Sequence, residues 1–179
     1  MRKTAMFFLL FLLPLFLPKN VYAQKASTFL VTMQGAKQKD HRVEILQEFL
    51  KQYNSPLADN AADIVQSADE NNIDWKLIPA ISGVESTFGQ AVPANSYNGW
   101  GWGVYGDNVI RFTSWSDAIK TISKGLRHNY IDKLGSDDVY AIGSVYAASP
   151  TWASRVTYFM QKIDQYDQDH QDVTLPLTL

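Results

Sequence analysis

From residue 40 onward the chain alternates short apolar sets with polar ones at three- and four-residue intervals, the period of amphipathic helices. Asp40 to Tyr53 places Ile45, Leu46, Phe49, Leu50 and Tyr53 on one face, and Asp59 to Asn71 does the same with Ala61, Ile64, Val65 and Ala68. A third helix is predicted from Leu77 to Phe88, with Asp74 as its cap, Ile73 and Ile78 as a hydrophobic staple, and Gly89 as its stop. Pro79 removes one donor from this helix and is expected to bend it. Between Val104 and Phe112 the period changes: Val104-Tyr105, then Gly-Asp-Asn, then Val109-Ile-Arg-Phe112 reads as a small hairpin. Ser114-Trp-Ser-Asp117 opens the next helix like a capping box, with Trp115, Ile119, Ile122 and Leu126 on its core face. Asp138 to Ala148 and Pro150 to Tyr166 complete the set, Ser149 serving as the cap before Pro150. The expected fold is α+β and mostly α: one domain with a small β-hairpin lobe beside the third helix, and a cleft between lobe and helices.

The ends read differently. Met1-Arg-Lys3 leads into an apolar core from Ala5 to Leu17, and Val21-Tyr-Ala23 supplies a small-x-small cleavage site. That core is short for a membrane span and is interrupted by Pro14, so residues 1–23 read as a cleaved export signal. Residues 24–39 are a polar, loosely ordered segment, 40–170 form the domain, and 171–179 are a tail. Asp167, Asp169 and Asp172 make the stretch after Tyr166 a solvated acidic end. The chain holds 16 Lys and Arg against 18 Asp and Glu, and Arg2, Lys3 and Lys19 leave with the signal, so the mature protein is acidic. That argues against nucleic acid as a partner, which calls for a basic face. It also argues against charge as the means of reaching an anionic wall. There is no Cys, hence no disulfide and no thiolate ligand. After signal cleavage no membrane attachment is expected, and a monomer is the simplest state.

Chemistry concentrates around Glu85, in Ile81-Ser-Gly-Val-Glu-Ser-Thr-Phe-Gly89, and in the following run Asn98-Gly-Trp-Gly-Trp-Gly103. At about 100° per residue, Ile78, Ile81, Glu85 and Phe88 share a narrow stripe. An acid on an apolar stripe is desolvated, which favours its protonated form and suits it to donate a proton to a leaving oxygen. The competing reading is a carboxylate paired with a neighbouring base. Trp100 and Trp102, flanked by glycines, offer flat faces for a sugar to stack on; a tightly packed turn is the alternative. Trp75, Trp115 and Trp152 sit at helical core positions and read as packing. Gly101-Trp-Gly-Val-Tyr-Gly106 matches a dinucleotide fingerprint in letters only, because no strand-turn-helix unit surrounds it. His41, His128 and His170 are far apart, so no zinc site is expected. No cofactor is implied.

Glu-Ser-x-Phe-Gly followed by Asn-x-Trp-Gly resembles the lysozyme-like superfamily, most closely the bacterial endo-β-N-acetylglucosaminidases that cut peptidoglycan. The likeness runs through Ile110-Arg-Phe-Thr-Ser-Trp-Ser-Asp-Ala-Ile119 and ends in Tyr146-Ala-Ala-Ser-Pro-Thr-Trp-Ala-Ser-Arg-Val156, similar to that family's Tyr-Ala-x-x-Pro-x-Tyr-Ala segment. It spans roughly Pro56 to Tyr166. The resemblance implies an exported glycoside hydrolase acting on peptidoglycan-type β-1,4 amino-sugar polymer. It makes Glu85 the general acid, brings Tyr146 near the scissile sugar, and leaves Ser86 and Asn98 as the polar contacts. Such an enzyme normally carries a second carboxylate. The one acid between Glu85 and Phe112 is Asp107, in the predicted turn, where turn chemistry explains it equally well. Two single-acid routes stay open: the substrate's acetamido group as nucleophile, or attack by the sugar's own hydroxyl as in lytic transglycosylases. A catalytically inert glycan-binding envelope module is the third reading.

Overall fold

The computed structural model describes residues 40–103 and 108–171. Contacts divide the chain into Met1–Gln38 and Lys39–Leu179, and every described residue belongs to the second unit. The predicted export signal and the rest of residues 1–39, Val104 to Asp107 and the residues after 171 lie outside the described residues.

Among the described residues six helices carry the fold: α1 (His41–Gln52), α2 (Ala61–Glu70), α3 (Leu77–Ser86), α4 (Trp115–Gly125), α5 (Val139–Tyr146) and α6 (Trp152–Gln171). α3 is buried along nearly its whole length, as expected for a helix apolar on all sides. It lies against α6, while α2 packs on α4, α1 on α2 and α6, and α5 on α6. The core joins Leu46, Leu50, Ile64, Ile78, Ile81, Ile119, Ile122, Ile142 and Val156.

Local chemistry sets the boundaries. Asp40 caps α1 by accepting from the Arg42 N–H, and the Arg42 guanidinium bridges Asp40 to Asp69 across to α2. Ser114 accepts from the Asp117 N–H, while the Asp117 carboxylate reaches back to the Thr113 N–H and hydroxyl, an extended capping box. Asp138 caps α5 through the Ala141 N–H. Asp74 lies further from its helix than expected: it accepts from the Lys76 N–H in the turn ahead of α3. Pro79 falls in the first turn of α3, where an N–H has no intrahelical partner anyway, so it costs that helix little.

α4 does not stop at Gly125. It widens into a π-helical stretch, Leu126–Ile131, and closes with one α turn, Asp132–Leu134. Gly135 in the left-handed region ends it.

Two expectations are corrected. No strand occurs among the described residues. The first arm and most of the turn of the predicted hairpin lie outside them. The second arm is irregular because loop groups hold its backbone: the Phe112 N–H donates to the Ser96 carbonyl and the Asn98 amide donates to the Ile110 carbonyl. Second, the acidic stretch after Tyr166 is helical as far as the described residues run: α6 continues to Gln171, Asp169 is solvated as expected, and Asp167 pairs with His41 on α1 at 2.8 Å.

Candidate active site

α3 ends abruptly. Thr87 and Phe88 are both left-handed, with φ of 52° and 57°, and Gly89 follows at 86°. The reversal folds the Phe88 ring back over Gly83, where an added Cβ would come within 2.8 Å of it. Phe88 thus reaches the core by a left-handed turn rather than by continuing the helical stripe. This corrects the desolvation inferred for Glu85: Ile78, Ile81 and Phe88 are buried, whereas Glu85, in the last turn of the same helix as Ile78 and Ile81, is exposed.

The Glu85 carboxyl nevertheless has fixed surroundings. Oε1 accepts a hydrogen bond from the indole N–H of Trp152 on α6 at 2.7 Å. Oε2 lies over Gly101, 3.3 Å from where a Cβ would stand on that residue. Trp152 is 2% exposed, as packing would require, and stacks on Tyr146 at 4.7 Å between centroids and 24° between planes. Gly143 seats it, since a Cβ there would meet the Trp152 ring at 2.9 Å.

The loop facing Glu85 is pinned from several directions. Ser86 donates to the Gly99 carbonyl at 2.7 Å. Tyr146 donates to the Trp100 carbonyl at 2.7 Å. The Asn98 side chain accepts from the Trp102 N–H and donates to the Trp102 and Ile110 carbonyls. Trp100 is driven inward and its indole N–H donates to the Ile78 carbonyl. Held this way, Gly101 stays exposed with φ of +63°, a conformation that suits glycine. Trp102 stands at the loop's end, half-buried, its ring over Gly125 and beside Tyr130 and Tyr146.

Several predicted roles change accordingly. Trp100 has 0% exposure and no face on which a sugar could stack. Ser86 and Asn98 are buried, and their hydrogen bonds brace the loop instead of pointing at a ligand. Tyr146 does come close to Glu85, but its hydroxyl proton is committed to the Trp100 carbonyl. Burial, then the Glu85 carboxylate, then Tyr130 push that hydroxyl well above the ordinary tyrosine range. Trp102, next to Gly101 in the chain, is half-buried and keeps part of its surface free. Asp107 lies outside the described residues. Sequence reasoning missed Gly101, Tyr130 and the polar role of Trp152. The glycines around Trp100 and Trp102 signalled the first, and nothing in the local pattern signalled the second.

Several other acids have structural work. Asp74 and Asp164 pair with Lys76, Asp132 with Arg127 and His128, and Asp117 and Asp138 cap helices. Among the described residues no group of three or more His, Asp or Glu side chains is arranged to hold a metal. Every buried side-chain polar atom among them has a partner, so recognition would fall to surface groups. No family model matches the chain, and no curated protein matches it.

Proposed function

We propose that this protein cleaves the β-1,4 linkages of a peptidoglycan-type amino-sugar polymer, with Glu85 as the general acid. The observation that carries this reading is the Glu85 carboxyl itself. One oxygen is fixed by the Trp152 N–H, and the other is open beside the bare α-carbon of Gly101. Glu85 is itself exposed in the last turn of its helix, where a ligand could reach it. Trp102 and Tyr130 supply a half-buried aromatic wall nearby, suited to the apolar faces of a sugar ring. A polymer lying along that wall would replace the water around Glu85 and bring a glycosidic oxygen within proton-transfer reach.

The acid's partner decides the product. No hydrogen bond or ion pair among the described residues ties a second acid to Glu85, and on that basis the reaction would run on one protein carboxyl. The substrate's acetamido oxygen or its own hydroxyl would then be the nucleophile unless Asp107 serves. The acidic chain and its leader fit an exported enzyme of the cell envelope or its exterior that finds polymer by the cleft and not by bulk charge. The resemblance of the Glu85, Asn98 and Tyr146 segments to endo-β-N-acetylglucosaminidases supports the same substrate.

The test is Glu85→Gln, nearly isosteric and without a proton to give. Activity on purified wall polymer should fall by about two to four orders of magnitude with the melting temperature held. A folded variant within tenfold of wild type would leave a glycan-binding module as the better reading. Mass analysis of the fragments separates the two cleavage routes, because reducing and anhydro ends differ by one water.

A further inference from the structure

Trp152 stands in the segment that resembles the tyrosine-bearing stretch of the glucosaminidases, yet it brings different chemistry. An indole N–H donates and never accepts. Its hydrogen bond to Glu85 Oε1, at 2.7 Å, therefore claims the carboxyl oxygen that is not carrying the proton in the acid form. The proton is left to Oε2, the oxygen over Gly101. A partner able both to donate and to accept, such as a hydroxyl, would allow the proton on either oxygen. We propose that Trp152 is a positioning residue: it confines the acidic proton of Glu85 to the oxygen facing the opening left by the missing side chain of Gly101. This rests on Glu85 being the general acid.

The supporting geometry extends beyond one hydrogen bond. Trp152 is buried, seated on Gly143 and stacked on Tyr146, so its N–H direction is fixed by packing. Tyr146 in turn holds the Trp100 carbonyl, one peptide before Gly101. The same aromatic pair thus sets both sides of the gap: Trp152 orients the carboxyl and Tyr146 fixes the loop it faces. In the reaction the proton passes from Oε2 to the glycosidic oxygen as the bond from that oxygen to the anomeric carbon breaks. The electron pair of that bond stays on the departing oxygen. The anomeric carbon is taken up by the nucleophile of the cleavage, which Trp152 does not touch.

The experiment compares wild type, Trp152→Phe, Trp152 replaced by its benzothienyl isostere (sulfur in place of the N–H), and Glu85→Gln. Each is assayed in the full mature chain on β-1,4 amino-sugar oligomers and on their dinitrophenyl glycosides. The isostere keeps ring shape and stacking, so it separates the hydrogen bond from the packing that Trp152→Phe also disturbs. With the natural leaving sugar, kcat should drop about tenfold or more in the isostere while KM and the melting temperature stay near wild type. With the dinitrophenyl leaving group, which departs without a proton, that defect should shrink to within about threefold. An isostere with unchanged kcat on the natural oligomer, or an equal defect on both substrates, overturns the role of Trp152. If Glu85→Gln is fully active, the catalytic reading of Glu85 has failed, and the role of Trp152 with it.

Discussion

Replacing Asn98 by Ala should destabilise the fold before it touches any ligand. The side chain is 3% exposed and makes three hydrogen bonds to backbone: it accepts from the Trp102 N–H at 2.9 Å, and donates to the Trp102 carbonyl at 2.9 Å and the Ile110 carbonyl at 3.1 Å. Truncation leaves all three backbone groups without partners. Each costs about 1–3 kcal/mol if water cannot reach it, and part of that is recovered where the loop is only half-buried. A net loss of about 3 kcal/mol follows, or a fall of about 10 °C in melting temperature for a domain of this size. Asn98→Asp sharpens the test. It keeps the acceptor for Trp102 but turns a carboxylate oxygen toward two carbonyls, so it should be worse than Ala although it is the smaller change. Thermal melts followed by far-ultraviolet circular dichroism, with urea titration for the free energy, measure both. An Ala variant melting within about 2 °C of wild type but unable to bind glycan would refute the bracing role. It would return Asn98 to direct substrate contact.

Three other outcomes follow from the same geometry. Trp102→Ala should weaken glycan binding, read by titration calorimetry, with a modest stability loss, whereas Trp100→Ala should cost about 3–5 kcal/mol of stability because its indole is wholly buried; equal behaviour of the two would sink the distinction. Tyr146 has its hydroxyl held above the ordinary value of 10.0, so the folded state keeps a proton that the unfolded chain gives up; stability should be fully present below pH 10 and decline as pH rises beyond it, more steeply than in Tyr146→Phe. A decline of equal slope in both proteins would remove Tyr146 from the cause. Asp107→Asn should leave most of the rate on wall polymer if one carboxyl suffices, and a near-total loss in folded protein would make Asp107 the second acid.

How far the sequence could be read depended on whether the controlling interaction was local. Asp40, Ser114 and Asp138 could be placed at helix starts from their own neighbours, and each caps within three residues. The apolar sets of α1, α2 and α4 fell where periodicity put them. Glu85 was picked out as the group to watch, but for a burial it does not have: it stands in the last turn of α3, where the helix reaches the surface. Trp100 and Trp102 could not be told apart by their flanking glycines. What separates them is the Ile78 carbonyl, 22 residues away from Trp100 in the chain, which takes its indole N–H. Ser86 and Asn98 were read as contacts for a ligand, although each bonds backbone within four residues as well as across the loop. Their more distant partners, Gly99 for Ser86 and Ile110 for Asn98, meet them only once the loop has closed. Trp152 donates across 67 residues, a relation no periodicity encodes.

The π-helical stretch Leu126–Ile131 bears on how the aromatic group of Trp102, Tyr130 and Tyr146 can vary. A π turn holds one residue more than an α turn, so everything beyond it is rotated by about 100° relative to an uninterrupted helix. In this setting Ile131 is buried, while Tyr130 stands 5.9 Å from Trp102 and 5.3 Å from Tyr146. The aromatic wall is therefore a matter of counting as well as of residue type. A homologue one residue shorter here could keep every aromatic letter and still turn the tyrosine to a different side of the helix, so its alignment would look intact where its cleft had lost a wall.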